Sequence, residues 1–335
     1  MSHPFYTTIA AEAWASLLDG SGPTPQGRTN SAMCAGDGSG GKAYLFGGYN
    51  HNNNPEDLDR MNDTWVLDLS GPSWAEVSVT EGTVRRAGHT MVCTGDSLLV
   101  FGGQSKIGGT SQGHNDLWKL TLATSTWEQL TPSGTLPPAR SQHSAVWNPD
   151  TQSMLVYGGA DSTFLGDLWS YSLTANSWTQ LTPTGGPLGT RDEHTALWNP
   201  VDNTMLLTGG TRRHASLPPA GSEGNDLWSY DPQANTWTEL IPQGSPNAPA
   251  GRRQTSLVWN TAAQAALLFA GNMGSPSVLN DLWEYKAASN WTQLVPATSP
   301  PARHDHQAVW ASTQVMIVFG GYDGSYLVDT WQYTP

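Results

Sequence analysis

The sequence of 335 residues is poor in positive charge and contains no long apolar run. Fifteen Lys and Arg stand against 28 Asp and Glu, which gives a net charge of −13 and a pI near 4.9. Such a chain would repel the phosphate backbone of nucleic acid and an anionic membrane surface. No apolar run approaches the roughly 18 residues that a membrane-spanning helix needs. We therefore expect a soluble, acidic protein that binds neither nucleic acid nor membrane.

Cysteine is also scarce. The two cysteines, Cys34 and Cys93, indicate neither a disulfide framework nor a Cys-based metal site, and we interpret both as small buried hydrophobes. Residues 1–10 lack the basic and apolar regions of a secretory signal. A reducing, cytoplasmic location is the expectation.

Glycine, proline and tryptophan are abundant, whereas charged residues make up only 13% of the chain. The 36 Gly and 23 Pro are turn formers, and the 16 Trp favour pleated surfaces. This composition predicts an all-β protein of many short strands.

A repeat is visible in short apolar runs that end in paired glycines, one of which has Ala in the first position. The runs are Leu45-Phe46-Gly47-Gly48, Val100-Phe101-Gly102-Gly103, Val156-Tyr157-Gly158-Gly159, Leu207-Thr208-Gly209-Gly210, Phe269-Ala270-Gly271 and Val318-Phe319-Gly320-Gly321. Their spacing of roughly 50 to 60 residues is that of a four-stranded propeller blade. Six blades account for nearly the whole chain.

Two further motifs recur with the same period. An Arg precedes each pair, usually three residues before a His or Ser: Arg28, Arg86, Arg140, Arg191, Arg253 and Arg303. An Asp-x-Trp follows each pair, beginning at Asp63, Asp116, Asp167, Asp226, Asp281 and Asp329. The equal numbers favour a structural ring of ion pairs over an anion site. The His, replaced by Ser31 and Ser256 in two blades, is interpreted as a hydrogen-bonding residue within its blade and not as a metal ligand.

The sixth unit lacks the second Trp that the first five units carry, while the N-terminal region contains an unassigned Trp14. We expect the N-terminal segment to supply the outermost strand of blade six. Such closure hides two sheet edges that would otherwise template aggregation. The prediction is a single β-propeller domain over residues 1–335, in which the repeated Trp side chains fill the spaces between blades.

The combination of Gly-Gly, Arg-x-x-His and Asp-x-Trp resembles the kelch family, from about Trp14 to Pro335. The resemblance implies an all-β, six-bladed kelch β-propeller with four antiparallel strands per blade. It implies no single chemistry, because kelch propellers include partner-binding modules, plant specifier proteins, a sialic acid mutarotase and copper oxidases. The Glu, Asp and His run of the iron-dependent specifier proteins is absent here. No metal site is predicted, and the cofactor is unknown.

In such a blade the start of strand a, the b–c turn and the inter-blade turn lie on one face, around a central mouth. In the kelch module that binds a short acidic peptide, the peptide is contacted by residues at these same positions, at the start of strand a and after Gly-Gly. That resemblance makes ligand-binding candidates of residues at the matching positions, and we add Arg212 of blade four and Asp305 of blade six, where the repeat is broken. The candidates are Tyr49, Gln104, Arg191, Thr211, Arg212, Gln254, Asn272, Arg303, Asp305 and Tyr322.

Residues that break the repeat are the candidates for chemistry. Blade four carries Asp192 and Glu193 after its Arg, and blade six carries His304. A carboxylate and an imidazole that converge on one cavity could act as base and acid, because burial and mutual charge move both pKa values toward neutrality. The same groups could instead bind a ligand or each other. Asp192, Glu193 and His304 are the tentative catalytic residues.

The b–c loops of blades one (49–62) and four (211–225) are long and are expected to face each other across the mouth. The first carries His51, Glu56, Asp57 and Asp59, and the second carries Arg212, Arg213 and His214. An acidic wall opposite a basic wall would orient a dipolar ligand. Solvated surface charge is the alternative.

Three functions remain open. The leading hypothesis is a stand-alone propeller that binds a small polar molecule or peptide at the central mouth. The alternatives are a small-molecule enzyme (a lyase, hydrolase or isomerase) that uses Asp192, Glu193 and His304, and a scaffold that binds protein partners. A concave pocket holding those three side chains would favour the enzyme, and a shallow open mouth would favour a protein partner.

Overall fold

The computed structural model describes residues 12–18, 22–35, 41–51, 59–79, 83–186, 188–213, 223–274 and 277–335. Their strands form six four-stranded antiparallel sheets and one two-stranded hairpin. Each four-stranded sheet is one blade of a propeller, so the predicted all-β, six-bladed architecture is confirmed. Within the described ranges, no helix is long and apolar enough to cross a membrane.

The strands of the first three blades follow the chain, after an N-terminal strand β1 (Ala13–Ser16). Blade one consists of β2 (Ala32–Ala35), β3 (Lys42–Tyr49), β4 (Arg60–Asp68) and β5 (Ser73–Glu76). Blade two consists of β6 (Thr90–Cys93), β7 (Ser97–Phe101), β10 (Leu117–Thr121) and β11 (Thr126–Leu130), with the hairpin β8 (Gln104–Ile107) and β9 (Thr110–Gly113) in its b–c loop. Blade three consists of β12 (Ser144–Asn148), β13 (Ser153–Tyr157), β14 (Leu168–Ser172) and β15 (Ser177–Leu181).

The last three blades repeat this order. Blade four consists of β16 (Thr190–Asn199), β17 (Thr204–Arg213), β18 (Leu227–Asp231) and β19 (Thr236–Ile241). Blade five consists of β20 (Ser256–Asn260), β21 (Ala265–Asn272), β22 (Val278–Lys286) and β23 (Asn290–Leu294). Blade six consists of β24 (Gln307–Ala311), β25 (Val315–Phe319) and β26 (Thr330–Thr334), and β1 is its fourth strand.

The N-terminal strand closes the ring as predicted. β1 pairs antiparallel with β26, with Trp14 opposite Tyr333. The indole of Trp14 is buried, and its ring centroid lies 4.7 Å from that of Phe269 in blade five. First and last segments of the chain therefore share one sheet and one apolar contact surface.

The hydrophobic core lies between neighbouring blades. Each of six buried clusters combines side chains from two adjacent blades. Strand β13 is buried at every position because other blades cover both of its faces, whereas the outer strand β15 buries Trp178 and exposes the next two residues. Trp178 packs on Phe101 of blade two at 4.9 Å, a burial that contributes about 1.5–3 kcal/mol. The Trp of each outer strand fills the space between blades, as predicted: Trp14, Trp74, Trp127, Trp178, Trp237 and Trp291 are all buried.

Six bidentate ion pairs join the start of strand a to the start of strand c. The pairs are Arg28–Asp63, Arg86–Asp116, Arg140–Asp167, Arg191–Asp226, Arg252–Asp281 and Arg303–Asp329. In each blade the Trp of the Asp-x-Trp motif donates its indole N–H to the same carboxylate at 2.6–2.9 Å. The structural interpretation of these charges is correct, and neither Arg191 nor Arg303 is free to bind a ligand.

The predicted alignment of blade five is wrong by one residue. Arg252, and not Arg253, reaches Asp281 and the carbonyl of Ala270. The residue three positions further is consequently Thr255, whose hydroxyl donates to the carbonyl of Phe269 at 2.9 Å. Both adjacent arginines fit the Arg-x-x-His/Ser pattern loosely, but a Trp lies seven residues after Arg140, Arg191 and Arg303, and Trp259 lies seven residues after Arg252.

The interpretation of the cysteines is also wrong. Cys34 of β2 and Cys93 of β6 form a disulfide between blades one and two. The strands that carry them are neighbours around the central channel, which brings the two Cα atoms to 5.8 Å and within the range that a disulfide requires. This bond removes the basis for expecting a reducing compartment.

Candidate functional site

The centre of the ring is lined by the second residue after each ion-paired Arg. These residues are Asn30, Gly88, Gln142, Glu193, Gln254 and Asp305, and we call them the collar. All six have a positive φ, between 51° and 67°, in the left-handed region that most side chains avoid. A conformation that recurs in every blade is a property of the scaffold.

Main-chain hydrogen bonds hold the collar. Five of its six members donate their N–H to the carbonyl of the preceding collar residue, at 2.7–3.1 Å. A non-Gly residue in a sparsely populated backbone region costs on the order of 1–3 kcal/mol and persists only where its surroundings enforce it. The bonds from blade to blade provide that enforcement and fix where each collar side chain starts.

The first residue after each Arg pairs with the residue after Gly-Gly, and these pairs surround the mouth on the b–c face. They are Thr29–Tyr49, Ala87–Gln104, Ser141–Ala160, Asp192–Thr211, Arg253–Asn272 and His304–Tyr322. The structure thus brings most of the candidate residues to one face. Gln254 belongs to the collar and not to this outer ring, because of the shift in blade five.

Glu193 is the most connected collar side chain. Its Oε1 accepts hydrogen bonds from Gln254 Nε2 at 2.7 Å and from Gln142 Nε2 at 3.2 Å. Its Oε2 accepts one from a guanidinium N–H of Arg253 at 3.0 Å. Arg253 also lies 3.9 Å from Glu223. The three donors fix the carboxylate of Glu193 at the channel entrance.

The two carboxyl groups that follow Arg191, those of Asp192 and Glu193, have raised pKa values. Burial, with repulsion from Asp305 and Asp192, raises the pKa of Glu193 to about 7, although Arg253 opposes the change. Burial raises the pKa of Asp192 to about 6, again against the guanidinium of Arg253. Asp192 is only 8% exposed, and its Oδ1 has no hydrogen-bond partner. Both groups would gain from a donor that enters the mouth.

Blades six and one contribute an aromatic side to the mouth. His304 Nδ1 lies 3.1 Å from Asp305 Oδ2, and its ring is 5.7 Å from that of Tyr322. Tyr326 is in edge contact with Tyr322 at 5.2 Å and with Tyr49 at 6.1 Å. These partly exposed rings supply apolar walls with polar tips.

Two charged residues of the long loops, Asp59 and Arg212, are paired within the protein. Asp59 is buried, 3.0 Å from Arg60 and 3.7 Å from Lys106. Arg212 is buried 3.7 Å from Asp226, so neither residue provides the free acidic or basic wall that we expected. Glu56, Asp57 and His214 lie outside the described residues. Arg213 is exposed and stacks over the ring of Phe164 at 4.4 Å.

Below the collar the channel widens into a cavity of about 220 Å³. It is lined by the collar and by the first residues of each strand a, so it includes Glu193 and Asp305 but neither Asp192 nor His304. The concave pocket that would hold all three tentative catalytic residues is therefore not this cavity.

The repeated His side chains also line this cavity, and they bond to the preceding blade instead of their own. His89 contacts the carbonyl of Phe46, while His143, His194 and His306 contact hydroxyls of Thr90, Ser144 and Ser256. Burial and the neighbouring Arg lower the pKa of His89, His194 and His306 to about 3, so their rings are neutral. Among the residues described, no group of three or more His, Cys, Asp or Glu is placed to hold a metal ion.

Sequence reasoning missed Asn30, Gly88 and Gln142 as collar residues. A signal was present in part, since Asn, Asp and Gly tolerate positive φ and recur at the second position after Arg. Gln and Glu carry no such signal.

Comparison with known proteins agrees with this geometry. A family model described as the KLHDC2/KLHL20/DRC7 Kelch-repeats domain matches residues 2–185, 88–296 and 190–335. The chain belongs to the kelch-repeat family. This kelch chain is 30% identical to Adagio-like protein 1 of Oryza sativa subsp. japonica over 95% of its own length and 51% of that protein. It is 26% identical to human Kelch domain-containing protein 3, over 92% of this chain and 80% of the relative.

The kelch propeller thus spans about half the length of the rice relatives that it matches. Kelch domain-containing protein 10 of Xenopus laevis is 28% identical over 83% of this chain and 68% of that protein. These likenesses establish the scaffold, and the ion pairs, the collar and the indole contacts described above are the parts of it that recur in all six kelch blades.

Proposed function

We propose that the central mouth on the b–c face binds a small polar molecule or a peptide, and that the ligand presents a hydrogen-bond donor or a positive charge to Glu193. The excess of carboxylate at the mouth carries this proposal. Asp192 and Asp305 both lie close enough to Glu193 to raise its pKa, and the guanidinium of Arg253 contacts Glu193. A donor or cation from the ligand would complete the balance of charge.

The buried oxygen of Asp192 supports the same ligand chemistry. A buried acceptor without a partner costs about 1–3 kcal/mol, and Oδ1 of Asp192 is such an acceptor. An ammonium, amide or hydroxyl group of the ligand would satisfy it. The cost of leaving the oxygen unpaired in the free protein then becomes a contribution to affinity.

The aromatic side of the mouth favours a ligand with an organic body. Tyr49, Tyr322 and Tyr326 offer ring surfaces beside the carboxylates. Tyr is well suited to recognition surfaces because it provides large contact area with few rotatable bonds. A peptide ligand would be supplied by a protein partner, a role that suits a propeller whose rice relatives are about twice its length.

The test uses two labelled peptide libraries of identical sequences, one with free amines and one with acetylated amines, with binding followed by fluorescence polarisation. We expect the free amines to bind better, and Glu193→Gln and Asp192→Asn each to weaken binding at least tenfold, or about 1.4 kcal/mol. His304→Ala should weaken binding by removing a ring beside Tyr322. Melting temperatures should stay near wild type. Glu76→Gln is the matched control, because Glu76 is exposed on the outer strand β5 of blade one.

The pH dependence has a definite sign. Ionised carboxylates attract the amine, and the pKa values of Asp192 and Glu193 are about 6 and about 7, so affinity should rise between pH 5 and pH 8. Glu193→Gln should flatten the upper part of that rise. Equal binding of the two libraries, or an unchanged Glu193→Gln variant, would contradict the proposal.

An enzyme is the second candidate, favoured by one observation. A carboxyl group with a pKa near 7, as that of Glu193 is, suits general acid–base catalysis at neutral pH. Incubation with the compounds that bind, followed by mass spectrometry, would detect turnover. Products that form with wild type and not with Glu193→Gln would favour the enzyme over the recognition module.

A further inference from the structure

The channel has a second opening on the opposite face, where each strand a ends and the a–b turn begins. A cavity of about 340 Å³ lies there. Four tryptophans at one repeat position line it, each from the strand a of its blade: Trp147, Trp198, Trp259 and Trp310. All four are partly exposed. We call this opening the tryptophan mouth.

The remaining part of the wall comes from blades one and two. Cys93 of blade two lies where the other blades have Trp, and Ala35 of blade one lies there too. The disulfide between Cys34 and Cys93 joins these two strands. The aromatic side chains thus cover four of the six blades, and the disulfide bridges the other two.

The charges around this cavity favour the entry of cations over anions. None of its lining residues carries a formal charge. In the five a–b turns that the structure describes in full, three exposed carboxylates and no Lys or Arg occur: Asp96, Asp150 and Asp202. Asp96 and Asp202 accept neutral hydrogen bonds from neighbouring side chains, and Lys286 on this face is paired with Glu284 at 2.8 Å. Lys42, at the start of β3 on the same face, lies near Asp68, so the charged groups described around the tryptophan mouth leave its approach negative.

We propose that the tryptophan mouth binds an organic cation that has no N–H donor, of the quaternary ammonium class. Aromatic faces attract such cations, and tryptophan attracts them best. A primary ammonium would bring three donors that need acceptors. The one side-chain hydroxyl in the lining, that of Thr261, already accepts from Trp310 Nε1 at 3.2 Å and donates to Gln314 at 2.8 Å. A quaternary ammonium has no N–H group, so it gives up no donor hydrogen bonds to water when it enters the cavity.

Three probes of similar shape test the proposal by calorimetry and by the change in tryptophan fluorescence. Choline carries the quaternary charge, 3,3-dimethylbutan-1-ol is its neutral isostere, and ethanolamine is a primary ammonium. We expect choline to bind at least tenfold more tightly than either of the others. If the neutral alcohol binds as tightly as choline, the cavity recognises apolar shape and not positive charge, which contradicts the proposal. If ethanolamine binds as tightly as choline, the site does not select quaternary over primary ammonium, which also contradicts it.

Variants locate the binding. Trp198→Leu and Trp259→Leu should each weaken choline binding at least fivefold, and Trp198→Phe, which preserves packing better, should weaken it less. Asp150→Asn should weaken it at low salt only, because exposed charges are screened, whereas Asp323→Asn on the other face should have no effect. Choline binding that survives both Leu variants, or that is lost in Glu193→Gln instead, would place the cation elsewhere and refute the proposal. The outcome is independent of the function proposed for the b–c face.

Discussion

The six ion pairs have the same geometry but different exposure, and this difference predicts the cost of breaking them. The side chain of Asp226 is 3% exposed and that of Asp167 is 20% exposed, while their partners Arg191 and Arg140 are fully buried. Both carboxylates are held in bidentate fashion and both accept an indole N–H. Asp226→Asn and Asp167→Asn are thus the same chemical change, made at a site shielded from water for Asp226 and at a partly solvated site for Asp167.

The expected magnitudes follow from what each substitution leaves behind. Asp226→Asn leaves Arg191 without its anionic partner, and it does the same to Arg212, which lies 3.7 Å from that carboxylate. Removal of one partner of a buried pair costs about 3–5 kcal/mol. At Asp167 water can reach the freed guanidinium, and the loss is that of hydrogen bonds to a charged group, about 1.5–3 kcal/mol. Urea unfolding followed by tryptophan fluorescence should rank Asp226→Asn as the more destabilised variant, with an unchanged m-value.

Acid provides an independent check of the same reasoning. Burial opposes ionisation of Asp226, but the Coulombic attraction and hydrogen bonds of Arg191 hold its pKa below the usual value. Its contribution to stability is therefore complete at neutral pH and is lost as the pH falls below about 4. The difference in unfolding free energy between wild type and Asp226→Asn should shrink in that range. Equal losses in the two variants at neutral pH would refute the link between burial and cost.

Two further predictions concern how the ring is closed. Deletion of residues 1–20 removes β1, exposes the edge of β26 and uncovers Phe269, so we expect a large fall in melting temperature and aggregation; an unchanged melting temperature would contradict the role of Trp14. Reduction of the disulfide, or the double change Cys34→Ser and Cys93→Ser, should lower the free energy of unfolding by about 2–4 kcal/mol, since the bond closes a loop across a sequence separation of 59 residues. Chemical denaturation with and without a reductant measures this loss, and identical curves would show that the bond does not stabilise the fold.

The sequence predicted those features that depend on the repeat itself. Paired glycines and Asp-x-Trp motifs fixed the number of blades and the order of strands, and Trp14 indicated how the ring closes. The shift in blade five escaped because Arg252 and Arg253 are adjacent and fit one pattern. The constant spacing of seven residues from this Arg to the Trp at the end of strand a, as in Arg252 and Trp259, would have resolved the ambiguity, and the distance to strand c confirms it.

Features that depend on the curvature of the ring were not predictable in the same way. Cys34 and Cys93 are neighbours because strands of successive blades converge on the channel. Glu193 was recognised as unusual, but its three donors come from blades three and five. No local pattern in blade four announces them.

The side chains of the collar at the channel entrance can be replaced independently of the hydrophobic core. Its path is set by hydrogen bonds between main-chain atoms, so the side chains of Asn30, Gln142 and Asp305 can be replaced without touching the apolar contacts between blades. Gly88 contributes no side chain to the circle, and a Cβ there would lie 3.2 Å from that of Ser141, so this position is best kept as glycine. Varying the other three positions among residues that tolerate a positive φ would generate propellers that differ in the width and polarity of the entrance while keeping the same core, a compact starting point for selecting new binding proteins.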